Sequence, residues 1–214
     1  MAALEPQQQQ SQLTAVSPDE EAQLAAGKYI KVSAASQPKG VAGKLAHSAR
    51  ESEPPATLCI GAASINQAVK SICIARQYLT RDGLNLSFQP AFRDKDRRAN
   101  VALYVAKQPL TANDPMDAPA ADGDAEYVEL PISAHSKAAV VAGALAARVR
   151  EGKRVSLVSI GVDAVSNAVL TIGNARLYLE ENTLDVRAFP SFITVQKEGK
   201  QLNAVKFNIK VEQL

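Results

Sequence analysis

Residues Ile30 to Phe92 reappear as Leu130 to Phe192 at a constant offset of one hundred, with 22 identities over 63 positions and no gap. A chain that repeats itself at this length must build two units of the same fold. Ser33-Ala34-Xaa-Ser36 recurs as Ser133-Ala134-Xaa-Ser136, and Val41-Ala42-Gly43-Xaa-Leu45-Ala46 as Val141-Ala142-Gly143-Xaa-Leu145-Ala146. Ala75-Arg76-Xaa-Tyr78-Leu79 recurs as Ala175-Arg176-Xaa-Tyr178-Leu179. What both copies keep is what the fold needs. What only one copy keeps is where function is to be sought.

At 214 residues the chain has room for two units of about 80 to 90 residues, each with a modest core. It is 46% hydrophobic, yet no apolar run approaches the roughly 18 residues that span a bilayer, so no membrane partner is expected. The acidic, arginine-free N-terminus matches neither a signal peptide nor a transit peptide, which points to a cytoplasmic or nuclear protein. Cys59 and Cys73 become Ser159 and Gly173 in the second copy, and two cysteines with two distant histidines make no zinc set. They read as small buried residues; no cofactor is implied.

The net charge of +2 conceals a strong segmentation. Residues 29–107 carry twelve bases and five acids, residues 127–214 eleven bases and eight acids, while residues 1–28 and 108–126 are net acidic. A concentrated positive repeat suggests a polyanion partner, with the acidic linker a candidate to fold over it.

The boundaries follow: a lead at 1–28, a first repeat at 29–107, an acidic linker rich in Ala, Asp and Pro at 108–126, and a second repeat at 127–214. The lead holds Gln7 to Gln10, then a short helix with Ser17 as cap, Pro18 in its first turn and Gly27 as its end. In the first repeat, Tyr29 to Val32 reads as a strand and Ser36 as the cap of a helix running to about Arg50. Its buried stripe is Val41, Ala42, Leu45, Ala46 and Ala49, and Gly43 predicts close approach to another backbone. Thr57 to Ile60 is a second strand. Gly61 opens a second helix buried through Ile65, Ala68, Val69, Ile72 and Ala75 or the stem of Arg76, with Asn66, Lys70 and Gln77 on the opposite face. Asn85 to Phe92 and Asn100 to Lys107 alternate as strands. In the second repeat the last pair is Asp185 to Val195 and Ala204 to Val211, with four extra residues in its hairpin around Gly199.

Three stretches then become recognisable together. Lys31-Val32-Ser33-Ala34-Xaa-Ser36-Xaa-Pro38-Xaa-Xaa-Val41-Ala42-Gly43-Xaa-Leu45-Ala46 is followed by Ile60-Gly61-Ala62, Asn66-Gln67-Ala68-Val69-Lys70 and Ile74-Ala75-Arg76, and then by Pro90-Ala91-Phe92-Xaa-Asp94. The first repeat closely resembles the stage V sporulation protein S family, a small Alba-like domain. The resemblance implies an α/β (α+β) fold of two tandem Alba-like domains. Each would run strand-helix-strand-helix-strand-strand, with a mixed sheet, two helices on one face and a tendency to pair, so that the tandem forms an intramolecular pseudo-dimer. The second repeat keeps the packing residues but turns Pro38, Lys39, Asn66, Gln67 and Lys70 into Ala138, Ala139, Ser166, Asn167 and Leu170.

Two candidate sites stand out. One is the pair of helix N-termini in the first repeat, where unpaired N–H groups favour phosphate and Lys39 adds charge, with Lys44 further along the same helix. At the second repeat's equivalent start, Asp163 would cap the helix and repel phosphate. The plain alternative is ordinary capping by Ser36 and Ser64. The other candidate is the hairpin of Arg93, Lys95, Arg97 and Arg98, which the resemblance implies for nucleic acid and which Asp94 and Asp96 partly neutralise. Asn66 and Lys70, lost together in the second copy, join the candidate contact set. Arg50, Arg76, Arg150 and Arg176, kept in both copies, read as structural: helix-end carbonyl contacts or ion pairs.

No serine, histidine and acid share a suggestive spacing, and an enzyme is not expected. The expected partner is RNA or DNA, bound without catalysis through phosphates on the first repeat. The alternative is a scaffold subunit docking other proteins in a large eukaryotic ribonucleoprotein, cytoskeletal or ciliary assembly.

Overall fold

The computed structural model describes residues 26–95, 99–111 and 126–214. The N-terminal helix expected from Ser17 and most of the acidic linker lie outside these residues. The first repeat runs β1 (Tyr29–Val32), α1 (Pro38–Glu51), β2 (Ala56–Ile60), α2 (Ala62–Leu79), a 3₁₀ turn at Thr80–Asp82, β3 (Leu84–Phe92) and β4 (Asn100–Pro109). The second repeats it as β5 (Tyr127–Ile132), α3 (Ala138–Arg150), β6 (Arg154–Ser159), α4 (Val162–Leu179), a 3₁₀ turn at Glu180–Asn182, β7 (Leu184–Lys197) and β8 (Lys200–Gln213).

All strands join one sheet in the order β1-β2-β4-β3-β7-β8-β6-β5, a near-mirrored series in which β3 and β7 meet at the centre. Only β1–β2 and β5–β6 are parallel. The five apolar positions expected of α1 are its buried ones, and those of α2, including Arg76, are buried too. Each large side chain removed from water in these stripes stabilises the fold by about 1.5–3 kcal/mol. The core does not stop at the repeat boundary: Leu45, Ile72 and Phe88 share a single apolar cluster with Leu145, Ile172 and Phe207. Cys59 and Cys73 lie buried in it as free thiols, their pKa values pushed up to about 12 by burial.

Several local expectations are corrected. Gly43 and Gly143 meet no atom where a Cβ would stand, so close approach is not why α1 and α3 carry glycine. The close-approach glycine is Gly173 in α4, whose missing Cβ would sit 3.1 Å from Cε2 and Cζ of Phe92 in the other repeat. Neither Ser36 nor Ser64 caps a helix. Ser36 Oγ accepts from Ser33 N–H and closes the preceding turn, and Ser64 Oγ donates to the Ile60 carbonyl. Nor does Asp163 cap α4, which like α2 begins without a side-chain cap. Both helices start from a glycine at positive φ, +88° at Gly61 and +92° at Gly161, where a β-carbon would be strained.

Candidate nucleic-acid interface

The two repeats meet with pseudo-twofold reciprocity. Phe88 pairs with Ala188 at the β3–β7 crossing, and the small partner lets the Phe88 ring meet Phe207 edge-on at 6.2 Å. An aromatic pair of this kind adds about 0.5–1.5 kcal/mol beyond its buried area. On either side of that point an arginine crosses to the opposite repeat. Arg76 donates to Asn85 Oδ1 at 2.8 Å and to the Pro190 carbonyl, with its guanidinium 5.6 Å from the Phe189 ring centre. Arg176 donates to both carboxylate oxygens of Asp185, at 2.7 and 2.8 Å, and to the Pro90 carbonyl at 2.8 Å. Burial opposes ionisation of Asp185, but hydrogen bonds from Arg176 and the Val186 N–H and the charges of Arg176 and Arg187 outweigh it, holding its pKa below the ordinary value.

Arg50 and Arg150 are structural in the way their retention suggests. Arg50 pairs with Asp82 at 2.8 Å and Arg150 bonds Asn182 at 2.7 Å, each also reaching the carbonyl at the C-terminal end of the second helix, Tyr78 or Tyr178. Gln67 and Asn167 differ in type but act alike. Each amide ties the loop ahead of the first helix, through carbonyls at Ala34 and Ser36 or at Ser133 and Ala134.

The candidate contact residues separate into three groups. Lys39 and Lys44 are exposed on α1, and Lys70 is half-buried on α2. Asn66 is only 5% exposed, so the expectation that it shares the solvent face with Lys70 is wrong; it lies on the buried side of α2 and leaves the contact set. Arg93 and Lys95 are exposed at the base of the β3–β4 hairpin, while Arg97 and Arg98 lie outside the described residues. Lys95 and Asp94 border a cleft of about 560 Å³ between that hairpin and α4, with Phe92, Arg176 and Leu177 on its walls.

Electrostatic pairing also differs between the repeats. Lys28, Lys31, Lys39, Lys44, Lys70 and Lys95 make no ion pair with any described residue. In the second repeat Arg148, Lys153, Arg176, Arg187 and Lys206 are each held by a carboxylate at 3.2 Å or less, while Lys137, Arg154, Lys197, Lys200 and Lys210 make no ion pair with a described residue. Lys31 was not singled out from the sequence, although its replacement by Pro131 is the same signal that marked Lys39.

Stage V sporulation protein S (SpoVS), as a family model, matches residues 28–107 and again residues 128–212. The chain belongs to this family, as a tandem of two of its domains. Within the family unit, the unpaired lysines Lys39 and Lys44 of α1, Lys70 of α2 and Lys95 of the β3–β4 hairpin belong to the first copy. The second copy answers them with Ala139, Ala144, Leu170 and Val195.

Proposed function

We propose that this tandem protein binds nucleic acid without catalysis, contacting the phosphate backbone through its first repeat. The observation that carries the reading is the set of unpaired lysines Lys31, Lys39, Lys44, Lys70 and Lys95 in that repeat, with Lys28 just ahead of it, set against a diverged neighbour in which five of eleven basic residues are already ion-paired. Cations already matched to carboxylates add little to phosphate affinity. Unmatched ones release counterions when phosphate replaces water and salt, so affinity falls steeply with ionic strength.

The test is fluorescence anisotropy of the full chain on generic RNA and DNA at two salt concentrations, beside a variant with Lys39, Lys44, Lys70 and Lys95 changed to alanine. The expected result is a steep salt dependence that flattens in the variant, by a slope of about 0.7–0.9 for each phosphate that is no longer neutralised. Absence of binding by the wild type at low salt overturns the proposal.

One observation favours a second reading, protein docking by the second repeat. Its longer hairpin continues beyond β6, whose pairing with β8 reaches Val205. On it, Ile193, Val195 and Leu202 replace charge with apolar surface on one face of the ribbon, Ile193 and Val195 standing where the first copy has Arg93 and Lys95.

A further inference from the structure

We infer that the sheet face of the first repeat opposite α1 and α2 is a stacking platform for single-stranded nucleic acid, centred on Tyr104 with Tyr29 beside it. The inference rests on the nucleic-acid reading above and narrows it to a strand with unpaired bases.

Alternation along the strands separates two faces. Val101, Leu103 and Val105 of β4 and Cys59 of β2 join the helix-covered core. Tyr104, Ala56 and Leu58 therefore point the other way. Tyr29 pairs in register with Ala56, and one step beyond the Thr57–Leu103 pair Ala56 meets Tyr104. The two tyrosines thus flank a small alanine on three adjacent strands, about 9.5 Å apart by the usual strand spacing.

The two hydroxyls come near enough to each other that Tyr104 raises the pKa of Tyr29. Hydroxyls can meet over that span only if both rings lean inward above Ala56. Ala56 is accordingly only 7% exposed although none of the described helices covers that face, while Tyr104 remains 47% exposed. The outer faces of two rings, laid over the sheet, are what an unstacked base requires. A duplex cannot use them, because its bases are stacked on each other.

The row continues through Gln89, which pairs with Tyr104, toward Arg187 of the second repeat, which donates to Gln89 Oε1 at 3.1 Å. Lys28 and Lys31, on either side of Tyr29 in the chain, are exposed and without ion pairs among the described residues, supplying charge complementary to a backbone that passes the rings. The second repeat gives the control. Its equivalent row is Glu129, Ser156, Asn208 and Phe189, in the same register. There both tyrosines are lost together, and a carboxylate stands where Tyr29 was. Lys206 takes up that carboxylate at 3.2 Å. The tyrosine that the second repeat does place there, Tyr127, is engaged by its own neighbours: its hydroxyl bonds Glu129 and Ser156, and Lys206 stands 5.1 Å from its ring centre.

The test is anisotropy of the full chain with a labelled 12-nucleotide oligouridylate, an oligothymidylate of equal length and a 12-base-pair DNA duplex, using wild type, Tyr104→Ala, Tyr104→Phe and Tyr29→Ala. Thermal melts establish that the variants fold. The expected result is a loss of about 5- to 150-fold in single-strand affinity for Tyr104→Ala, retention in Tyr104→Phe, and unchanged duplex affinity. Unchanged single-strand affinity in Tyr104→Ala, with duplex binding intact, overturns the platform but leaves the phosphate reading standing; a surface that seats protein instead gives this outcome. Equal losses on strand and duplex also overturn stacking. A wild type that binds none of the three probes at low salt overturns both readings.

Discussion

The two repeats share a fold but handle charge in different ways. In the second, Arg176 is neutralised by Asp185, Arg187 by Glu212 and Lys206 by Glu129, so several of its cations are satisfied within the molecule. In the first, Asn85 stands where Asp185 would be and Tyr29 where Glu129 would be, and the surface lysines remain unmatched. Both copies supply the shared core and each sends one arginine across, so the two differ at the surface rather than in structural work. The asymmetry reaches the interior too: Gly173 admits the Phe92 ring, whereas Cys73 fills the equivalent position and Phe192 remains 39% exposed.

The largest effect should come from the crossing arginines. Arg176→Ala leaves Asp185 buried without its main partner and is expected to cost about 3–5 kcal/mol in urea denaturation. Arg76→Ala strands neutral acceptors, Asn85 and the Pro190 carbonyl, and should cost less. Equal losses would mean that the carboxylate is not what separates the two copies. Next comes Gly173→Cys, which gives α4 the residue that α2 has at Cys73. Its β-carbon crowds Phe92, and the overpacking is expected to cost about 1–3 kcal/mol. Combining it with Phe92→Ala should show strong non-additivity in a double-mutant cycle, because the two groups touch.

The smallest effect is a pH dependence. Because the folded pKa of Asp185 is depressed, its ion pairing contributes stability that is fully present above the unfolded carboxylate value near pH 4 and is lost as pH falls through the folded value. Asp185→Asn, which copies Asn85, should flatten the acid limb of a urea-midpoint profile between pH 6 and pH 2. An unaltered limb would show that the Arg176–Asp185 pair contributes nothing that Arg76–Asn85 lacks.

Much of the fold was legible from residue order. The stripe Val41, Ala42, Leu45, Ala46 and Ala49 reports its helix because burial repeats every 3.6 residues, and Val101, Leu103 and Val105 report their strand because it repeats every two. Lys39, Lys44 and Lys70 were legible as candidates because the second copy discards them. Asn66 was misplaced because it sits at the margin of the α2 stripe, and α4, packed against α2 from the other repeat, widens the buried arc beyond what one repeat would cover. Ser36 and Ser64 look like caps in sequence, but a hydroxyl that can reach several backbone groups is assigned only by the turn it sits in.

Residue order alone determined the duplication, the six elements of each repeat, their buried faces and the excess of positive charge in the first copy, because all of these are local or additive properties of the chain. Tertiary structure decided that β3 and β7 join the copies into one sheet and one core. It also decided that Arg76 and Arg176 cross between the copies, that Gly173 receives Phe92, and that Tyr29 meets Tyr104 over Ala56. Each of these joins residues about 75 to 115 positions apart. No periodicity encodes such a meeting; it follows from strand order and register, which exist only once the sheet has formed.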